Sequence, residues 1–513
     1  MYGKKLVQLS VALLFILGAA LSAAGALASP ADANFLWAKS MGGSGSDFGL
    51  STIDSNGNLF TTGRFEGTVD LDPGPGLFSL TSAGSWDILL SKLDGSGNLV
   101  WAKGIGGPGK DFGSESSQDA SGNVYLTGYF HDTVDFDPGA GVFNLTSAGY
   151  EDVFVCKLDG SGNFLWAKRV GGTGGDYASG IRVDPNGNVY ILGSFKNTAD
   201  FDPGAGTFNL TSAGADDIFV SRLDGSGNFV WAKRMGGTGV DFPDMLVRDA
   251  SGSLYITGSF QNTADFDPGA GTFNLTSAGA DDIFVSRLDD SGNLVWAKGM
   301  GSPQFDTGTA VALGLDGNVY LAGEFQGTVD FDPGPGISSL TSAGGMDIFM
   351  SKLNASGSFV WAKRIGGISN TDYVSDIMVD RDGYVYITGQ FLNTIDFDPG
   401  AGNFDMTSTA GSLDAFICKL DGSGNFIWAK SMGGAGTDGG NTINLTSTGF
   451  VLTGNFSSTA DLEPGPGIFN LTSAGADDIF IAKFETAYTF TDVPPDFWAW
   501  SYIERLYAAG VTG

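Results

Sequence analysis

One histidine and two cysteines in 513 residues remove several chemistries at the outset. His131 has no second histidine to join, so neither a His-based catalytic triad nor a His metal cluster can be assembled. Cys156 and Cys418 alone make no disulfide scaffold. Positive charge is scarce as well: 26 Lys plus Arg stand against 57 Asp plus Glu, a formal charge of -31. Nucleic acid is therefore a poor partner, since phosphate affinity needs Lys and Arg on one face. Beyond the N-terminus no apolar run is long enough to cross a bilayer. What the chain does have is 42% apolar residues, 81 glycines and low charge density, the composition of a Gly-rich globular β protein with a sizeable core.

The first residues, MYGKKLVQLSVALLFILGAALSAAGALASPADA, run from two lysines through an apolar stretch to small residues ending in Ala26-Leu27-Ala28. That order predicts a secretory signal over residues 1–28, cleaved after Ala28, and an exported protein with no membrane contact after cleavage.

The main feature is repetition. The tryptophans of an (F/L)xWAK element fall at Trp37, Trp101, Trp166, Trp231, Trp296, Trp361 and Trp428, spaced 64, 65, 65, 65, 65 and 67 residues. Each unit of about 65 residues contains four strand-like runs, here a to d. In the third unit they are Gly180 to Asp184, Val189 to Ser194, Ile218 to Asp224 and Phe229 to Arg234. The a-b and c-d connections, Pro185-Asn186-Gly187-Asn188 and Gly225-Ser226-Gly227-Asn228, are short and rich in Gly and Asn, as tight hairpins with positive φ require. Four antiparallel strands repeated seven times predict an all-β fold, a seven-bladed β-propeller over residues 35–484. A lone d strand, Phe35 to Lys39, opens the series, and the last unit stops after a c strand at Phe484. The N-terminal strand is thus expected to complete the seventh blade, which removes a loose edge. Cys156 and Cys418 occupy the same c-strand position in blades two and six, where other blades have Ser or Ala, so buried, separate thiols are expected rather than a disulfide.

Strand order puts the tight turns on one face and the longer b-c and d-a connections on the other, where binding is usually placed. The b-c insertion of unit three, TADFDPGAGTFNLTSAGADD, recurs letter for letter in unit four. It carries two carboxylates two residues apart, on one side of an extended chain, before a Pro-Gly turn. These pairs are Asp70 and Asp72, Asp135 and Asp137, Asp200 and Asp202, Asp265 and Asp267, Asp330 and Asp332, Asp396 and Asp398, and Asp461 and Glu463. With Asp216 and Asp217 at the start of strand c, one blade end could gather four carboxylates, the donor set of a calcium site. The competing reading is turn chemistry, in which the same carboxylates cap backbone N–H groups with no metal. Calcium is the one cofactor the pattern suggests, and the residues leave the two readings open.

Other motifs read plainly. Asp159-Gly160-Ser161-Gly162-Asn163 lacks the position-six glycine and position-twelve glutamate of an EF-hand and is expected to be a hairpin turn. The repeated Asn-Leu-Thr, as at Asn209 to Thr211, is expected as a strand in the insertion. His131 aligns with Glu66, Lys196, Gln261, Gln326, Leu392 and Ser457, a position that accepts almost anything. The repeated Trp is expected to pack between blades rather than to stack a sugar.

Segments such as DVFVCKLDGSGNFLWAKRVGG (Asp152 to Gly172) and DPNGNVYILGSF (Asp184 to Phe195) resemble the bacterial seven-bladed propeller repeat called SBBP. The resemblance implies the fold and an extracellular setting, and it transfers no catalytic residue. After a linker at 485–489, residues 490–513 are similar to the opening of an S-layer homology domain: Phe490, Asp492, Val493 and Pro494 match F-x-D-V-P, and Trp498 and Ala499 follow, with Phe497 where that family usually has His. Asp492, Pro494 and Trp498 would then belong to a module that holds secreted proteins on cell-wall polysaccharide. Phe497 to Ala509 is expected to form a short helix, and the segment covers about half of one module, which implies a longer parent chain or a lost anchor.

These readings predict a secreted, non-enzymatic protein of the bacterial cell surface or wall that binds an extracellular glycan or protein, or serves adhesion or structure. The alternative is a carbohydrate-active or other hydrolase using Asp and Glu in the propeller channel. Equivalent sites in every blade favour the binder, and a carboxylate pair found in one blade only favours the enzyme.

Overall fold

The computed structural model describes residues 33–368 and 372–486. The signal segment and the region resembling an S-layer homology domain, with its expected helix, lie outside them. The compact unit formed by Phe35–Thr446 and Phe450–Phe484 is the propeller.

Seven antiparallel four-stranded blades follow in chain order. Blade three has strands Asp176–Val183, Val189–Asp200, Asn209–Leu223 and Phe229–Gly237. Strand a therefore starts four residues before the expected Gly180, and strands b and c extend into the insertion. The b-c insertion thus forms a small hairpin of its own, Thr198 paired with Thr211 and Asp200 with Asn209. Asn-Leu-Thr is one arm of that hairpin, as expected. The first strand of the chain, Ala33–Gly43, pairs with the last, Asn470–Thr486, and so completes blade seven. At the closing joint Val451, Ile479 and Ile481 of blade seven pack against Leu59, Leu89 and Leu93 of blade one, and Asn441 and Asn444 of blade seven add polar ties, donating to the carbonyls of Gly49 and Ser51 of blade one at 3.1 and 3.0 Å.

Strands b and c are buried on both faces, which explains runs such as Val-Tyr-Ile-Leu and Ile-Phe-Val-Ser with little apolar-polar alternation. The core lies between blades. Tyr190, Leu192, Ile218 and Val220 of blade three pack against Leu246, Leu254, Ile256 and Phe284 of blade four. Cys156 and Cys418 are free and buried in such clusters. The tryptophans close each interface at its outer end, where the indole N–H of Trp101, Trp296 and Trp361 donates, at 3.2 Å, to a carbonyl in the c-d turn of the next blade.

The insertion hairpin also ties blades together. In blade three, Asp200 and Ala199 pair with Gly171 and Gly172 at the end of blade two's outermost strand. The same bridge recurs at Gly42 with Asp70, Gly236 with Asp265, and Gly433 with Asp461. This explains the Gly-Gly repeats. A Cβ on Gly172 would fall against the carbonyl oxygen of Thr198, far inside contact distance. Gly171 itself has φ +152°, which L side chains rarely adopt.

Candidate functional site

The acidic insertions come first. The residue between the paired carboxylates is a plug: Phe201 is buried, 5.4 Å from Phe195 and 4.9 Å from Phe219 by ring centroid. Phe136, Phe266, Phe331 and Phe397 repeat it, with Leu71 and Leu462 in the other two blades. Alternation then turns both flanking carboxylates outward. Asp200 Oδ1 accepts from the backbone N–H of Asp202 and Phe208, at 3.0 and 2.8 Å, and Asp202 Oδ1 accepts from Gly204 at 2.8 Å. Asp70 and Asp72, Asp135 and Asp137, Asp265 and Asp267, Asp330 and Asp332, and Asp396 and Asp398 make the same bonds. Asp461 does too, while Glu463 replaces the second carboxylate. The carboxylates are engaged in turn chemistry. Among the described residues, no group of three or more His, Cys, Asp or Glu comes together in a way that could hold a metal ion. Asp217 does not join them: it is fully buried at the blade joint, whereas Asp200 and Asp202 are partly exposed.

The remaining motifs behave as expected. Asp159 accepts from the N–H of Ser161 and Asn163 at 2.8 and 2.9 Å, and Gly162 takes φ +79°, so this segment is a hairpin turn. Those bonds hold its carboxyl below the usual range. His131 is partly exposed and lies 3.3 Å from Asp132.

The channel is where the seven-fold pattern breaks. Strands a line it: Phe48–Ile53, Phe112–Gln118, Asp176–Val183, Asp241–Arg248, Asp306–Leu313, Tyr373–Val379 and Asp438–Leu445. Near the mouth on the insertion face, the second ring of residues holds Phe48, Phe112, Tyr177, Phe242 and Tyr373, with Thr307 and Gly439 as gaps. Phe112 lies 5.9 Å from Phe48 and stacks on Tyr129 at 5.4 Å, and Tyr129 meets Tyr177 edge-on at 5.1 Å. Arg64 lies 3.9 Å over Trp86, with Lys110 at 4.7 Å from the same ring. Tyr177, Phe242 and Phe305 are exposed by 36%, 42% and 40%, a large apolar presentation for residues so close to a core.

Below the aromatics, six of the seven a strands carry a β-bulge or irregularity. A bulge frees a backbone N–H, and the preceding blade supplies the acceptor. Glu115 accepts from Ile181 N at 2.9 Å and pairs with Arg182 at 2.6 Å. Asp376 accepts from Ile443 N at 2.8 Å, and Glu324 from Val374 N at 2.7 Å and from Thr309 Oγ1 at 2.8 Å. These three acids are staples between blades. Burial pushes the Glu324 carboxyl up to about 7, and burial with the charge of Glu115 pushes Asp376 to about 7.

Asp244 differs. It sits at a bulge position that Ser114, Ser179, Thr309, Ser375 and Asn441 fill elsewhere, and its side chain is exposed to the channel. Desolvation by the enclosing wall and then the charge of Glu324 push its carboxyl up to about 8, against a hydrogen bond from the Thr307 side chain. Phe242, two residues earlier, shares its side of the strand. Blade four thus presents Asp244 beside exposed Phe242, with the buried Glu324 of blade five close enough for its charge to act on Asp244. Sequence reading missed this site because Asp is frequent everywhere; the usable signal was the departure of Asp244 and Glu324 from the other repeats.

The family described as a β-propeller repeat, SBBP, matches residues 165–194 and 360–390. Over 475 residues the chain is 24% identical to an uncharacterized WD repeat-containing protein of Acanthamoeba polyphaga mimivirus, an alignment covering 75% of this chain and 33% of the relative. Over 416 residues it is 24% identical to the regulatory protein FlaEY of Caulobacter vibrioides, covering 74% and 41%. The chain thus spans between a third and two fifths of these curated relatives. Among solved structures, a protein of unknown function from Bacteroides caccae aligns over 68% of this chain and 92% of its own with 11% identity and a TM-score of 0.33. With those matched repeats and seven four-stranded blades, the chain is a β-propeller repeat protein.

Proposed function

We propose that this protein is an exported, non-enzymatic binding module of the bacterial cell surface, held on cell-wall polysaccharide by its C-terminal region, whose ligand enters the channel mouth beside blades four and five. The observation that carries the reading is the break in repetition: the insertion carboxylates cap backbone donors in every blade, whereas on the channel wall of blade four exposed Phe242 and exposed Asp244 put apolar surface beside a carboxyl, with exposed Phe305 opening the neighbouring blade. A saccharide suits both features, since its ring faces stack on aromatics and its hydroxyls donate to carboxylates. The test is a glycan array followed by calorimetry on the best ligand. Phe242→Ala and Asp244→Asn should each weaken binding at least tenfold, and unchanged affinity in both variants would exclude the channel mouth.

A second reading has its own support. Two neighbouring carboxyls with protons held near neutrality are the equipment of a glycoside hydrolase, and Asp244 with Glu324 is such a pair at the channel wall. A screen of chromogenic glycosides decides between them: turnover abolished by both Asp244→Asn and Glu324→Gln makes the protein an enzyme.

A further inference from the structure

The joint between blades one and two carries charge of the opposite sign. Arg64, in strand b of blade one (Leu59–Phe65), lays its guanidinium 3.9 Å over the Trp86 ring and 5.7 Å from that of Phe112. The ammonium of Lys110, in the connection to blade two, lies 4.7 Å from the same indole. Asp111 N donates to the Trp86 carbonyl at 2.9 Å, which fixes Lys110 beside Trp86. None of the three belongs to the repeat. No other blade has a cation at the Arg64 or Lys110 position, and the Trp86 position elsewhere holds Glu, Asp, Met or Leu.

Both cations lack a counter-charge. Among the described residues, seven other arginines pair with an aspartate or glutamate at 2.5 to 3.8 Å. Arg64 and Lys110 make no ion pair and no side-chain hydrogen bond among those residues, in a chain with 57 Asp plus Glu against 26 Lys plus Arg. The acids of the joint are engaged elsewhere: Glu151 accepts from Tyr177 Oη at 3.1 Å, Asp87 from Ala83 N at 2.9 Å, and Asp111 from Gly107 N and His131 N at 2.8 and 3.1 Å. The indole thus gathers two like charges whose mutual repulsion an anion would relieve. A planar guanidinium fork beside an ammonium is the donor set for a carboxylate or a sulfate.

The aromatic row of the channel mouth starts at the same place. Phe112 lies between Phe48 and Tyr129, and Tyr129 meets the exposed Tyr177. Anion donors therefore adjoin ring faces on which a sugar can stack. We infer that Arg64 and Lys110 hold the anionic substituent, carboxylate or sulfate, of an acidic saccharide whose ring lies on the row of Phe112 and Tyr177. The inference rests on the saccharide reading of the channel mouth and adds the charge of the ligand. At physiological salt the excess of acid is screened beyond about 8 Å, so a single anionic group reaches the two cations despite the net charge of -31.

The test uses the full chain and sorts the hits of the glycan array by charge. In calorimetry at neutral pH, an oligosaccharide bearing one uronate or one sulfate should bind about tenfold more tightly than the same oligosaccharide with its carboxyl methyl-esterified or its sulfate removed. Whichever of the two forms binds names the anion. Arg64→Gln and Lys110→Gln should each bring the charged and neutral forms to within about twofold of one another, with the melting midpoint unchanged. Gln390 occupies the Arg64 register in blade six, and Lys110 is exposed, so both changes are compatible with the fold. Charged and neutral forms bound alike by the parent, no acidic oligosaccharide bound at all, or a preference that survives both variants would overturn the inference. Neutral glycan binding that falls in Phe242→Ala and not in either cation variant would remove this inference and leave the channel-mouth reading standing. A charge preference lost with Arg64 or Lys110 and untouched by Phe242→Ala would keep the inference and remove the blade-four site.

Discussion

Replacing Glu324 by Gln tests whether the channel stores unfavourable charge. Glu324 is 4% exposed, and burial raises its carboxyl from the ordinary 4.5 to about 7. The fold therefore favours the protonated form. A group raised in this way contributes stability that is present below its unfolded pKa and is lost as pH rises through its folded pKa, so the window here runs from about 4.5 to 7. The interval corresponds to about 3 kcal/mol of stability lost by pH 8. Gln should fit, because blade six carries Gln390 at the same register, and its amide can serve both Val374 N and Thr309 Oγ1. Removing the charge also lets Asp244 ionise at lower cost, an effect of the same sign. Urea unfolding followed by tryptophan fluorescence should then find Glu324→Gln close to the parent at pH 4.5 and more stable by about 2 to 4 kcal/mol at pH 8. A stability difference that does not change between these pH values would refute the reasoning, since a mere packing change carries no pH dependence.

Other consequences follow from the joints and plugs. Gly237→Ala should cost about 2 to 4 kcal/mol, because the new methyl meets the Thr263 carbonyl and breaks the bridge to the next insertion; Gly95→Ala, whose nearest contact is 3.4 Å, should be near neutral in the same unfolding assay. Phe266→Ala should cost about 3 to 5 kcal/mol by emptying a buried plug, whereas Asp267→Ala, which loses one turn hydrogen bond, should cost about 1 kcal/mol. Cys156 and Cys418 should ignore a thiol reagent until denaturant is added, because burial raises both thiols far above their ordinary range. Rapid labelling of the native protein would contradict their placement in the core.

The sequence by itself determined the architecture, and the physical reason is periodicity. Seven tryptophans at near-constant spacing, with Gly and Asn at every short turn, require one local structure seven times, and seven four-stranded units have an economical solution in a ring. The lone first strand and the missing last one even disclosed how the ring closes, and the paired cysteine positions how far apart two thiols must be. Side-chain roles were less legible. Asp200 and Asp202 carry the same letter as Asp217 and Asp244, yet the first two cap a solvated turn, the third is buried at a joint, and the fourth faces the channel. Those differences arise from contacts between residues of neighbouring blades, such as Asp414 beside Asp438 or Asp244 beside Glu324, which no local pattern encodes. Burial, unpaired cations and the gathering of carboxyls around one axis depend on how blades dock, and only the tertiary structure decided them.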